Sequence, residues 1–177
     1  MTWFSTLFLI YITAGLISCR TAYPNKQVEG KNFPLVKGKA LNGKVWQLPN
    51  ELQGKKAILL IGYVQDSQFD IDRWLIGLDF HKVKINIFEV PTINNFFAQI
   101  FQDSIDSGMR SGIPEGLWKI VITVYEEAET IEEFLGNKVP RNARVLLLDE
   151  NSRVLFSHDR GFSVGALNKL LKKIGEL

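Results

Sequence analysis

Residues 57–64 are Ala57, Ile58, Leu59, Leu60, Ile61, Gly62, Tyr63 and Val64, a run with no charged side chain. Successive side chains of a strand point to opposite faces, so a strand with one wet face alternates apolar and polar positions. A run that is apolar throughout has to be covered on both sides, which is the pattern of a central strand packed between helices. That strand fixes the class of fold before any other element is placed.

The elements around it alternate. Residues 36–41 and 44–47 are expected to pair as a hairpin, because Asn42-Gly43 supplies the positive φ angles of a tight two-residue loop. Helical spacing of Ile71, Trp74, Leu75 and Leu78 predicts a helix over 70–78, with Trp74 in the core. A strand over 84–90 and a helix over 94–105 follow, the latter expected to pack through Phe97, Ile100, Phe101 and Ile105. Residues 120–125 read as a strand and 127–135 as a short acidic helix. A second hairpin takes 144–149 and 153–157 around Glu150-Asn151-Ser152. A terminal helix presents Val164, Leu167, Leu170, Leu171 and Ile174 on one face, with Ser163 as its cap. Central strands with helices between them predict a three-layer α/β sandwich around a mixed sheet, entered through an N-terminal β-hairpin.

With that order of elements, the chain resembles the thioredoxin-like superfamily, and within it the peroxiredoxin and membrane-anchored thiol-reductase branches. The resemblance runs from about residue 33 to the C-terminus. It is carried by Gly43-Lys44-Val45-Trp46-Gln47-Leu48-Pro49, by Gly54-Lys55-Lys56 leading into the central strand, and by Val145-Leu146-Leu147-Leu148-Asp149 followed by Arg153-Val154-Leu155. It implies a thioredoxin-like domain over 33–177. Redox members of that superfamily place a Cys-x-x-Cys pair or a peroxidatic cysteine in the loop and first helical turn after the strand matching 57–64. There the helix N-terminus lowers the thiol pKa. This chain reads Gln65-Asp66-Ser67-Gln68-Phe69-Asp70-Ile71-Asp72-Arg73 at that place. Without sulfur, disulfide exchange and peroxide reduction by the family route are excluded. The family's cis-proline would stand near Ala143, and the nearest proline is Pro140.

Asp66, Asp70 and Asp72 cluster where that helix begins, and an N-terminus favours negative charge by roughly 0.3–1 kcal/mol per group. They read either as capping of the helix or as a partner or cation site, with Arg73 beside them. Neither a spaced histidine nor a calcium-loop pattern accompanies them, so no metal and no cofactor is expected. His158, Asp159 and Arg160 follow the last strand in a turn ended by Gly161, a set that could serve acid–base work or tie a structural turn. No Gly-x-Ser-x-Gly elbow is present for a hydrolase triad. Met109-Arg110-Ser111-Gly112-Ile113-Pro114, with the late strand and hairpin, is loosely similar to thioredoxin-like mitochondrial assembly factors of the ATP synthase, and makes Arg110 a candidate contact.

Cys19 is the only cysteine of the chain and closes Leu16-Ile17-Ser18-Cys19 at the end of an apolar stretch. That stretch, residues 7–17, is about eleven residues, right for a signal h-region and short of the roughly twenty needed to cross a bilayer. It resembles the lipobox of bacterial lipoproteins. The resemblance implies a signal peptide over 1–18, acylation of Cys19, and a lipidated tether over 19–32 that holds the domain off the membrane. Arg20 is not the aspartate of an inner-membrane retention signal, which favours the outer membrane.

Charge excludes one class of partner. The chain carries 21 basic and 19 acidic residues, all after Cys19 and scattered, so no basic stripe marks a nucleic-acid binder. The expected protein is a redox-inactive lipoprotein at the extracytoplasmic face, held to the membrane by its N-terminal lipid and acting as a binding or assembly module for a protein partner. The candidate contacts are Asp66, Asp70, Asp72, Arg73, Arg110, His158 and Arg160. The alternative is a non-redox enzyme using Asp66, Asp70 and Asp72, or His158, as acid and base.

Overall fold

The structure, a computed structural model, describes residues 21–176. Cys19 and the signal segment lie outside them. Strands β1 (Val36–Ala40) and β2 (Val45–Leu48) form the expected hairpin. Its loop has three residues rather than two. Ala40 accepts from Gly43 N–H at 2.8 Å and donates to the Lys44 carbonyl at 2.8 Å, and only Gly43 takes a positive φ, of 90°. A turn followed by one left-handed glycine is the other common hairpin solution, and Asn42 is left free to accept from Lys44 N–H at 3.1 Å.

The central strand is β3 (Ala57–Gly62), buried at every position. Helix α1 (Gln68–Phe80) returns the chain to β4 (Asn86–Pro91), which pairs with β3 in parallel. Two short helices follow, α2 (Phe96–Ile100) and α3 (Gln102–Gly112), then β5 (Ile122–Thr123) and α4 (Ala128–Leu135). The antiparallel pair β6 (Arg144–Leu148) and β7 (Val154–His158) and the last helix α5 (Val164–Gly175) complete the domain. Ser163 caps α5 as expected, its hydroxyl accepting from Ala166 N–H at 3.1 Å.

Strand order is β2-β1-β5 in one sheet and β4-β3-β6-β7 in the other. Parallel bridges from Glu89 to Val121 and from Thr92 to Val124 join β4 to the β5 strand, so the two run on as one mixed sheet. β3 sends Leu59 and Ile61 to one face, where they meet Phe88, Leu146 and Ile131 of α4. It sends Ile58 and Leu60 to the other, where they meet Trp74 of α1, Val145 and Leu167 of α5. The two cores make the three layers, and burying each such side chain stabilises the fold by about 1.5–3 kcal/mol. The fold is thus the α/β three-layer sandwich with a mixed central sheet.

Two expectations are corrected by packing. The polar segment before residue 33 is not a free tether from Tyr23 onward. Val28 is fully buried, and Gly30 N–H and Lys31 carbonyl pair with Val154. Tyr23 and Asn137 exchange two hydrogen bonds, at 2.9 and 3.0 Å. The backbone at Pro24 and Asn25 runs directly over Gly136, whose φ is 85° and whose missing side chain makes room for it. The segment therefore forms part of the body.

The single helix expected over 94–105 is broken at Phe101, and its apolar face points outward. Phe97, Ile100 and Phe101 are exposed and Ile105 is half-buried. The inner side of α2 and α3 meets polar groups instead. Asp106 accepts from the Tyr125 hydroxyl at 2.8 Å, and Arg110 Nε donates to the Leu41 carbonyl at 2.7 Å. With β5 only two residues long, carbonyls at this edge need donors, so the helix pair docks by its polar side.

Candidate functional site

The carboxyl end of β3 leads through a 3-10 turn (Gln65–Ser67) into α1, the place where the thioredoxin-like resemblance would put a reactive thiol. Gly62 leaves no room above it, since a side chain there would strike Ser67 Oγ. The Ser67 hydroxyl is buried and donates to the Val64 carbonyl at 2.6 Å. The turn is thus closed on itself, and it presents neither a thiol nor a free hydroxyl.

Asp70 sits on the first turn of α1 but does not cap it. Its side chain faces inward at 7% exposure. Oδ2 accepts Ala143 N–H at 2.8 Å and Oδ1 accepts Phe162 N–H at 2.5 Å. One carboxylate therefore ties α1 to the residue before β6 and to the loop before α5. A buried carboxylate holding two backbone donors is an internal staple, so Asp70 is withdrawn from the candidate contacts.

Arg144, first residue of β6, is buried below the same loop. It donates from NH1 to the Val139 and Asn142 carbonyls, both at 2.7 Å, and lies 4.9 Å over the Tyr63 ring. No motif in the sequence marks it. Its signal was a charge inside the apolar run that starts β6, a position where burial demands several acceptors.

The remaining candidates separate. Asp66 is exposed and pairs with Arg141 at 3.2 Å, bringing the turn before α1 against the loop before β6. Asp72 lies on the outer side of α1, where it accepts from Gln68 at 2.9 Å. It faces toward Glu89 of β4. Burial raises the Glu89 carboxyl above its ordinary value, a hydrogen bond from Gln68 opposes this, and the Asp72 charge adds to it. Arg73 and Arg160 are solvent-exposed.

His158 is half-buried, and its Nε2 donates to the Gly161 carbonyl at 2.8 Å. Trp74, fully buried as expected, packs 5.7 Å from the His158 ring and edge-on to Phe162 at 5.4 Å. The imidazole thus holds the turn before α5 together. Arg110 lies elsewhere: it binds the Leu41 carbonyl at the β1 hairpin and stands 3.9 Å from Asp106. The structure therefore brings Asp66, Asp70 and His158 to one edge of the sheet, with Arg141 and the 142–144 backbone. It leaves Asp72 and Arg110 outside that group.

Among the described residues no three His, Cys, Asp or Glu side chains converge as metal ligands. No described helix is long and apolar enough to cross a membrane.

No protein-family model and no curated protein matches the chain. Solved structures do match it. The exposed lipoprotein thioredoxin Etrx1 of Streptococcus pneumoniae superposes with a TM-score of 0.54 at 13% identity, covering 81% of this chain and 100% of that one. Yeast Sco1 with copper bound gives 0.58 at 13% identity, over 86% and 96%. The thiol peroxidase of Chromobacterium violaceum gives 0.55 at 11% identity, over 88% and 92%. At these identities the likeness shows the fold, and that fold is thioredoxin-like.

Proposed function

We propose that the chain is a thiol-free thioredoxin-like lipoprotein, acylated at Cys19, that acts as a binding or assembly module on the extracytoplasmic side of the cell envelope, with the outer membrane favoured by Arg20. The observation that carries this reading is the edge at the carboxyl end of β3. Redox proteins of this fold place a reactive thiol there, and this chain has a self-closed turn and a carboxylate bonded to two backbone N–H groups. Neither disulfide exchange nor peroxide reduction by the family route proceeds without a thiolate.

Acid–base chemistry at the same edge has little to work with. Both Asp70 oxygens accept internal hydrogen bonds, and His158 Nε2 is held by the Gly161 carbonyl. What remains open to a partner is Asp66, Arg141 and Arg160, three exposed charged side chains on the rim. A binding surface needs shape and charge there, not a nucleophile. The likeness to an exposed lipoprotein thioredoxin supports the location only by analogy of fold.

The test is acylation. Full-length protein expressed with a labelled fatty acid should carry label on Cys19, and Cys19→Ala should lose it. Unchanged labelling in Cys19→Ala would overturn the lipoprotein assignment.

A further inference from the structure

We propose that α2 is a second membrane contact: Phe96, Phe97, Ile100 and Phe101 seat in the headgroup–acyl boundary of the bilayer and orient the domain on it. The inference rests on the reading of Cys19 as the acylated residue for its location, and on the structure for the surface.

The surface is unusual in its direction. Phe96 is 71% exposed, Phe97 58%, Ile100 59% and Phe101 56%, and α2 buries none of its residues. Spacings of three and four bring these side chains onto one outer face, and the Phe96 and Phe97 rings already touch edge-on at 5.9 Å. The helix is not loose. Asn95 caps it, accepting from Phe97 N–H at 2.8 Å, and the following α3 is pinned by Asp106 and Arg110 through polar contacts. A contiguous aromatic patch on a held element marks an interaction surface.

Its occupant follows from where the chain enters. Asn137 Nδ2 donates to the Thr21 carbonyl at 2.9 Å and to Glu132 Oε2 at 2.9 Å. The same Glu132 oxygen accepts from Asn94 Nδ2 at 3.1 Å, one residue before the α2 cap. The entry of the chain and the start of the aromatic helix therefore meet on one carboxylate. Cys19 stands two positions before Thr21 in the sequence, and two residues reach at most about 7 Å. An acyl chain on Cys19 thus brings the bilayer to this face and not to the opposite one.

Aromatic side chains at the interface, with apolar area directed into the acyl region, are the chemistry of a peripheral membrane contact. Charge argues for an apolar contact over an electrostatic one. Glu129 lies against Tyr23 at the point of entry, its carboxylate accepting from the tyrosine hydroxyl at 2.6 Å. On the neighbouring helix the exposed Asp103 is paired with Lys39 at 3.6 Å, so no unbalanced cation is seen there among the described residues. The contact therefore does not call for anionic lipid.

The experiment uses the full-length chain in phosphatidylcholine vesicles whose acyl chains carry bromine, which quenches tryptophan on contact. Phe97→Trp is compared with Val164→Trp, on α5, whose exposure of 65% is close to the 58% of Phe97. Both positions are on the surface, and thermal melting checks that each variant stays folded. The expected result is a blue shift and several-fold greater added quenching for Phe97→Trp, unchanged when salt is raised. Equal quenching at the two positions would overturn the proposal, as would covering of α2 by a second copy of the chain, seen as a dimer whose Phe97→Trp emission the bromolipid does not quench. Acylation of Cys19 is scored on the same sample by lipid label. An unlabelled Cys19 with strong quenching at position 97 would refute the lipoprotein reading and still support the α2 contact.

Discussion

Asp70 Oδ2 accepts the backbone N–H of Ala143 at 2.8 Å, joining the first turn of α1 to the residue before β6 across 73 positions. Its second oxygen holds Phe162 N–H at the start of the last helical layer. One side chain thus satisfies two backbone donors from segments far apart in the sequence. In the sequence this aspartate looks the same as Asp66 and Asp72.

The two aspartates at the turn should therefore separate cleanly. Asp70→Ala leaves the buried Ala143 N–H and the partly buried Phe162 N–H without an acceptor and should cost about 3 kcal/mol, or about 10 °C in Tm for a chain of this size. Asp70→Asn keeps one acceptor and turns a donor toward the other N–H, so it should lose about half as much. Asp66→Asn, which removes only an exposed pair with Arg141, should change stability by less than about 0.5 kcal/mol. Urea unfolding of the three variants checks the order. A double Asp66→Asn, Asp70→Asn variant would confound recognition with stability.

Gly136 governs the docking of the segment before residue 33. Its φ of 85° and ψ of 158° lie in a region essentially reserved for glycine. Any side chain there would also meet the Pro24 carbonyl and the Asn25 backbone. Gly136→Ala should cost more than about 2 kcal/mol. Hydrogen exchange should speed up first at Tyr23 and Lys26, whose N–H groups bond to Asn137 and Leu135, while β3 stays protected.

Glu89 gives the pH dependence. Burial raises its folded-state pKa above the unfolded value, so its contribution to stability is fully present below the unfolded pKa. It is lost as pH rises through the folded pKa, where the carboxyl must ionise in place. Glu89→Gln removes that loss. Urea unfolding should show the variant gaining on the wild type as pH is raised from about 4 to about 7. A gain that is the same at both pH values would mean that Glu89 ionises as readily in the fold as out of it.

What was legible in the sequence was whatever depended on local pattern. β3 and β6 are read from runs apolar on both faces, α5 from one stripe and its Ser163 cap, and the lack of a cysteine at the start of α1 from the residues between Val64 and Arg73. The direction of α2 was not legible. Spacing locates an apolar face, but whether it turns inward depends on what lies opposite, and here that is Tyr125, the Leu41 carbonyl and Arg110. The role of Asp70 was hidden for a related reason. Its partners are backbone N–H groups, which every non-proline residue has, so no residue type announces them. The docking of residues 21–32 depends on Gly136 and Asn137, more than a hundred positions away.

The claim at the centre of this account is that the edge where the fold keeps its thiols has no redox chemistry here. The most direct measurement is reduction of insulin disulfides by dithiothreitol, with and without the full-length Cys19→Ala protein, which contains no thiol. The rate should equal that of dithiothreitol alone. Acceleration that scales with protein concentration would contradict the account and require a nucleophile other than cysteine at that edge.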